Sequence, residues 1–311
     1  MPDMTFAQVR VVDPILTTVV VGYRNAAYVG EALFPRVPVR TMGGRRIEFG
    51  KEHFLQYSTA RAPGAAIKRV AIGYAGRPYN LDLHGLAGQL PVELLEEANA
   101  QPGIDLGQRT ARVAMDVLLR SLEQEQAEVA TDPANYPDSH IVTLSGTAKW
   151  SHPDSDPAVQ IAQYSEVVRQ SIGLYPNVLL MGGPVFSALK NHPKILDRIK
   201  YTGRDSLTET LLANLWGLDR VVVGTAVYVP DPTTGAFADI WGNVAILAYV
   251  PQQFAGIETP SYGYTYVLEG HPAVLQPWLD RDHNTWVYPV EFARAPLITS
   301  EGAGFLIRTP A

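Results

Sequence analysis

The sequence predicts an α+β protein in which a long basic, extended segment and one long helix accompany a compact unit of alternating helices and strands. Three observations carry that prediction. Residues 36–89 are rich in short alternations and turn residues and poor in large apolar side chains. Residues 105–129 carry apolar side chains at the three-to-four spacing of a helix. From 156 to 275, short and nearly continuous apolar runs alternate with helical stretches, the pattern of a sheet covered by helices.

With 311 residues, 46% hydrophobic and 18% charged, the chain has material for about two ordinary domains and a real core. Its 24 prolines and 26 glycines argue for many turns rather than a helical bundle. No cysteine is present, which excludes disulfides and thiolate chemistry and fits assembly in a reducing cytoplasm. The N-terminus lacks the basic start and cleavage site of a signal peptide. Its most apolar stretch, Ile15 to Val21, is far short of the roughly 20 residues a membrane span needs, so a soluble protein with no membrane partner is expected. The net charge of −6 gives no overall nucleic-acid signature, but its distribution is uneven. Nine Lys/Arg between Arg36 and Arg77 meet only Glu48 and Glu52, a local +7, whereas eight acids between Leu90 and Ala130 meet Arg109, Arg112 and Arg120, a local −5.

Residues 1–34 are expected to form an N-terminal arm with one short helix. Asp13-Pro14 starts it, since an acceptor side chain precedes a residue with no amide to leave unpaired, and Phe34-Pro35 ends the segment. In the extended segment 35–89, Val37 and Val39 alternate with polar neighbours, as do Ile47 and Phe49, with Met42-Gly43-Gly44 between. A two-residue Gly-Gly turn would put the two apolar sets on opposite faces. A three-residue loop at 42–44 pairs Val39 with Ile47 and aligns them, and is preferred. Such a segment has no core of its own and is expected to lie on something else, often a neighbouring subunit.

Segment 90–155 opens with a short helix from Pro91 to Ala100, breaks at Gln101-Pro102-Gly103, and continues as the long helix from Asp105 to Val129. Leu106, Thr110, Val113, Val117, Leu118 and Leu122 share one face of it. Asp105 with Arg109 and Asp116 with Arg120 form acid-before-base pairs. Its length should be roughly 40 Å at 1.5 Å per residue. A short strand near Ile141 to Leu144 follows. Asp156-Pro157 begins the helix of segment 156–275, whose sheet should contain Val178 to Met181, Val221 to Val223 and Val244 to Leu247, with helices around 184–200 and 205–216. Strands at Trp286 to Ala293 and Phe305 to Arg308 close the chain in segment 276–311.

No phosphate-binding glycine loop, nucleophile elbow or H-E-x-x-H occurs. Ser187-Ala188-Leu189-Lys190 matches S-x-x-K, the serine-hydrolase signature, without its companions S-D-N and K-T-G. The plainer reading is an amphipathic helix with Phe186 and Leu189 inward. The seven histidines show no metal-ligand spacing, and His152, His192 and His271 each precede a proline, which suggests turn entry. Asp154 and Asp156 beside His152 resemble a metal loop, but Asp156 is accounted for as a helix cap. No catalytic, cofactor-binding or metal site is expected. Aromatics interleave with the basic segment, as single-strand binders require, against an overall acidity that repels polyanions.

Several phrases remain: Leu33-Phe34-Pro35 before a basic loop, Pro102-Gly103-Ile104-Asp105-Leu106 into a long helix, and Leu144-Ser145-Gly146 with Trp150-Ser151. His192-Pro193-Lys194-Ile195, Gly217-Leu218-Asp219-Arg220-Val221, Ile240-Trp241-Gly242 and Ala295-Pro296-Leu297-Ile298-Thr299 follow. In this order, through nearly the whole chain, they resemble the major capsid proteins of tailed bacteriophages. The resemblance implies the Hong Kong 97 fold: an N-arm (1–34), an extended β-hairpin loop (35–89), a peripheral domain with a spine helix (90–155) and return strands (276–311), and an axial α/β domain (156–275). It implies a non-enzymatic head protein of the virion, assembled in the host bacterial cytoplasm, whose hexamers and pentamers form an icosahedral shell around double-stranded DNA. A separate scaffolding protein, a portal protein and non-specific contact with packaged DNA follow as partners, with a decoration protein left open. Some members cross-link a loop lysine to a neighbour. Lys51 and Lys68 are candidate positions, but nothing marks the asparagine or catalytic acid, so that chemistry is not carried over. Encapsulin-type compartments share the fold and stand as an alternative, an S-x-x-K hydrolase as another. The opposed local charges single out Arg45, Arg46, Lys51, Lys68 and Arg69 of the loop, and Glu123, Glu125 and Glu128 of the helix, as an expected subunit interface. The alternative is that the same basic residues meet packaged DNA.

Overall fold

The computed structural model describes residues 12–23, 25–47, 76–99, 105–199, 207–231, 233–252 and 261–311. Lys51, Lys68 and Arg69 lie outside the described residues. One sheet is built on β14 (Thr285–Ile298), along which β4 (Asp82–Pro91) pairs antiparallel on one side. On the other side β13 (Trp278–Asp280), β12 (Ala273–Val274) and β11 (Gly263–Leu268) pair with it in turn. β1 (Arg36–Val39) adds parallel to β11.

Three helices serve this sheet: α1 (Pro14–Val21), α2 (Val92–Asn99) and the long α3 (Leu106–Thr131). Asp105 caps α3 by accepting from the Gln108 amide at 2.9 Å. Ala111, Met115, Leu118, Leu119 and Leu122 of α3 share a core with Tyr288, Val290 and Phe292 of β14. The approach is close, since a Cβ on Gly88 of β4 would stand 2.4 Å from Thr110 Cγ2. Leu16 and Val20 of α1 complete the core. The Asp13 carboxylate accepts from the amides of both Ile15 and Leu16 at 2.9 Å, as the sequence leads one to expect. Asp13→Ala is therefore expected to cost about 1 kcal/mol, measured as a lower denaturation midpoint with an unchanged slope.

A second, five-stranded sheet runs β5 (Ile141–Thr143), β15 (Gly304–Arg308), β10 (Val244–Ala248), β6 (Val178–Gly182), β7 (Arg220–Gly224). The three apolar runs expected to share a sheet are neighbours in it: Leu179 stands opposite Leu247 on one side and Val221 on the other. β6 is buried at every position, which is why its sequence is continuously apolar rather than alternating. α4 (Pro157–Ile172), α5 (Gly183–Lys190), α6 (Pro193–Ile199) and α7 (Glu209–Trp216) accompany this sheet, and their apolar faces enter its core. Asp156 caps α4 through the Val159 amide, and Gly173 closes it at φ +74, a left-handed position glycine takes without penalty.

Four expectations are corrected. β1 does not pair with β2 (Gly43–Ile47) around residues 42–44; β1 joins β11, and β2 forms an antiparallel ribbon with β3 (Gly76–Asn80). Val37 and Val39 thereby reach a core with Tyr79, Leu81, Tyr264 and Tyr266, a deeper burial than a two-stranded hairpin offers. The buried face of α3 keeps Leu118 and Leu122, but Val113 and Val117 are exposed and alanines take their place, because close packing on the sheet needs small side chains. Asp105 caps α3 through a backbone amide, the role its position before the first turn favours over pairing with Arg109. Sheet membership also crosses the expected segment boundaries. β5 and β15 belong with 178–248, while β11 and β12 belong with β14, because a strand goes where its ladder partners are.

Candidate assembly surfaces

The β2–β3 ribbon is pinned at its base. Tyr79 of β3 stacks on Tyr266 of β11 with centroids 4.9 Å apart, and the Leu81 amide donates to the Met42 carbonyl at 2.7 Å. Arg40 reaches Glu269 at 3.5 Å and Arg77 reaches Glu301 at 3.5 Å, both pairs largely exposed. Beyond this base the ribbon extends residue by residue with Arg45 opposite Pro78 and Arg46 opposite Arg77. Arg45 is exposed. Among the described residues of the ribbon, Arg77 is exposed as well.

The three helix acids expected opposite it have different fates. Glu123 is only 2% exposed. Its carboxylate accepts from Trp241 Nε1 at 2.6 Å, from the Val29 amide at 2.9 Å and from the Gly30 amide at 2.9 and 3.0 Å. Burial pushes its carboxyl above the ordinary glutamate range, opposed by those hydrogen bonds. Glu125 receives both ends of the Arg294 guanidinium, at 2.8 and 3.2 Å, and the Ser121 hydroxyl. Glu128 alone of the three is exposed, accepting from Gln124 one turn before it. The expectation that Glu123 and Glu125 form an outward acidic surface is therefore corrected: their charge is spent inside the subunit. A local sum of charges along the sequence does not separate the faces of a helix. The exposed face of α3 carries Arg109 and Arg112 instead.

The arm is strapped across α3. Tyr23, Asn25 and Tyr28 all donate to Asp116 Oδ1, at 3.1, 3.1 and 3.2 Å, while Arg120 pairs with Asp116 Oδ2 at 2.9 Å. With Glu31, Arg36 and Gln126 they line a cleft between arm and helix. Arg220 of β7 donates to the Ala32 carbonyl at 2.9 Å, so the arm bridges both sheets. Sequence reasoning missed Trp241 and Arg294 as partners of the helix acids.

The remaining motifs hold no assembled chemistry. Ser187 is exposed on α5, and the Lys190 ammonium lies over the Phe186 ring, 4.8 Å from its centroid. Asp156 is engaged as a cap and stands 3.6 Å from Arg198. Ser155 Oγ and His192 Nε2 are 3.0 Å apart, but both residues are buried, and burial holds the imidazole below its ordinary pKa. Among the described residues no group of three His, Asp or Glu side chains could hold a metal ion, and no helix is long and apolar enough to cross a membrane.

No family model matches the chain. It is 34% identical over 273 residues to the major capsid protein of Burkholderia phage BcepMu, covering 86% of this chain and 87% of that one. The crystal structure of a phage-related protein from Bordetella bronchiseptica RB50 superposes with a TM-score of 0.83 at 42% identity, over 97% of this chain and 98% of the other. More distant shells share the fold alone. The capsid of cyanophage P-SCSP1u has a TM-score of 0.58 at 13% identity over 99% and 93% of the two chains. The holo-SrpI encapsulin of Synechococcus elongatus has 0.50 at 12% over 99% and 92%.

Proposed function

This chain belongs to the major capsid proteins of tailed bacteriophages, shell-forming components of the virion with the Hong Kong 97 fold, and we propose that its copies close into the pentamers and hexamers of an icosahedral shell around double-stranded DNA. One observation carries the reading. The likeness in sequence runs through 86% of the chain to a phage head protein, and it covers 87% of that protein. A separate scaffolding protein, a portal protein and non-specific DNA contact complete the assembly, which takes place in the bacterial cytoplasm. The chain acts as a building block and not as an enzyme. The encapsulin reading is weaker, since that likeness is one of fold at 12% identity.

Within the shell, the basic loop of one copy (Arg45, Arg46, Lys51, Lys68, Arg69) meets an acidic surface of the next, with Glu128 the helix acid that has a free face. Each exposed pair contributes only about 0–1 kcal/mol. The contact recurs in every copy, so a small term biases assembly. The test is charge reversal. Arg45→Glu with Arg46→Glu is expected to impair assembly of DNA-free shells, counted by negative-stain microscopy. Normal empty shells that lose only salt-sensitive DNA retention would assign the arginines to DNA instead.

A further inference from the structure

Two apolar features stand at opposite ends of the five-stranded sheet. After β7 the chain enters a short hairpin, β8 (Val227–Tyr228) with β9 (Ala238–Asp239), before β10. Phe237 on this hairpin is 75% exposed, and Val227 and Val229 are exposed near it. β6 and β7 run parallel and β10 runs antiparallel to β6, so the hairpin lies at the end where β7 finishes and β10 starts. At the other end, where β6 and β7 begin, Ala162 of α4, Trp216 of α7, Tyr175, Pro176 and Leu218 line a cleft of ≈ 330 Å³. Tyr175 is 60% exposed, and Leu174 beside it is exposed too. Ser165 and Glu166 line it too, and the Glu166 carboxylate is already engaged by Arg169 and by the Tyr175 hydroxyl, so the cleft offers rings and aliphatic carbon beside a balanced ion pair.

We propose that the hairpin of one copy seats Phe237 in this cleft of the next copy. The proposal rests on the self-association of the family and adds where two copies touch. A ring of copies needs a heterologous contact, two different patches on each subunit, and a knob and a cleft at opposite ends of one sheet supply them. Exposed apolar patches on a subunit that spends its life in a shell are interface candidates before they are anything else. An aromatic side chain among tyrosine, tryptophan and proline is also the pairing such a cleft favours.

The chain has no cysteine, so Ala236→Cys with Leu174→Cys, exposed positions beside Phe237 and Tyr175 that leave both rings in place, introduces its only thiols. Within one chain they are separated by a strand of five residues, roughly 17 Å, too far for a disulfide, whose Cα atoms lie about 4.4–6.8 Å apart. Oxidised shells of this variant are expected to give a non-reducing ladder ending at closed rings of chains, and each single-cysteine variant none. Independently, Phe237→Asp is expected to raise the concentration threshold for assembly at least tenfold while leaving the melting temperature of the unassembled chain unchanged. Shells with no ladder overturn the proposal, as does assembly of Phe237→Asp at the wild-type threshold. Failure of the wild-type chain to form particles would instead strike the capsid reading beneath it.

Discussion

Replacing Glu123 with alanine is expected to destabilise the unassembled chain by about 3–5 kcal/mol. The carboxylate holds the arm through the Val29 and Gly30 amides and the five-stranded unit through the Trp241 indole, all from one position on α3. Alanine leaves three donors without their acceptor, at roughly 1–3 kcal/mol for each that stays dry. Glu123→Gln keeps one acceptor oxygen and should lose only about 1–2 kcal/mol, the part owed to the second oxygen, whose place an amide donor takes. Urea denaturation of the unassembled chain measures both. Equal losses in the two variants would show that the retained acceptor oxygen contributes nothing to the tie.

The same site sets a pH dependence. Burial raises the Glu123 carboxyl above its ordinary range, with the nearby Glu31 charge acting in the same direction and the three hydrogen-bond partners opposing. A folded-state pKa above the unfolded one means that the folded chain takes up the proton first as pH falls. The stabilising contribution is then fully present below the unfolded glutamate range and is lost as pH rises through the folded value. Melting temperatures of wild type minus Glu123→Gln should therefore climb as pH is lowered from neutral into the acid range. A difference that is flat or falls over that interval contradicts the sign.

Local signals in the sequence were dependable where one residue and its neighbours decide the outcome. Asp13 and Asp156 cap the helices they precede, and the apolar runs of β6, β7 and β10 lie side by side in one sheet. Long-range pairing was not legible in the same way. Nothing near Val37 announces that its ladder partner is Tyr266, or that β15 at the far end of the chain slots between β5 and β10. The charge pattern misled for a physical reason. An acid on a long helix looks alike in sequence whether it faces water or a buried indole, and the partners that decide, Trp241 and Arg294, lie 118 and 169 residues away. Hydrophobicity misled α3 similarly, because valine scores above alanine although close packing on β14 selects alanine at 111 and 114.

Arg294→Ala is expected to cost about 3–5 kcal/mol, and Arg294→Lys to recover little of it. Arg294 sits on β14 with its side chain fully buried under α3. Its guanidinium donates through Nε and Nη2 to the two oxygens of Glu125, through Nη1 to the Leu118 carbonyl at 2.6 Å, and lies 5.0 Å from the Phe292 ring centre. That combination of fork, carbonyl and ring contact uses the planar group in three directions, which a lysine ammonium cannot reproduce. Removing the arginine strands Glu125, whose side chain is 27% exposed and whose other close ring neighbour, the His84 imidazole, stands 3.8 Å away. Much of the loss is therefore the cost of an orphaned carboxylate, not the worth of the pair. Replacing both partners separates the two: Arg294→Met with Glu125→Gln should be more stable than Arg294→Met alone, by an interaction energy read from a double-mutant cycle in denaturant. If the double variant is as unstable as the sum of the singles, the two side chains act independently, and the coupling of β14 to α3 through this pair is refuted.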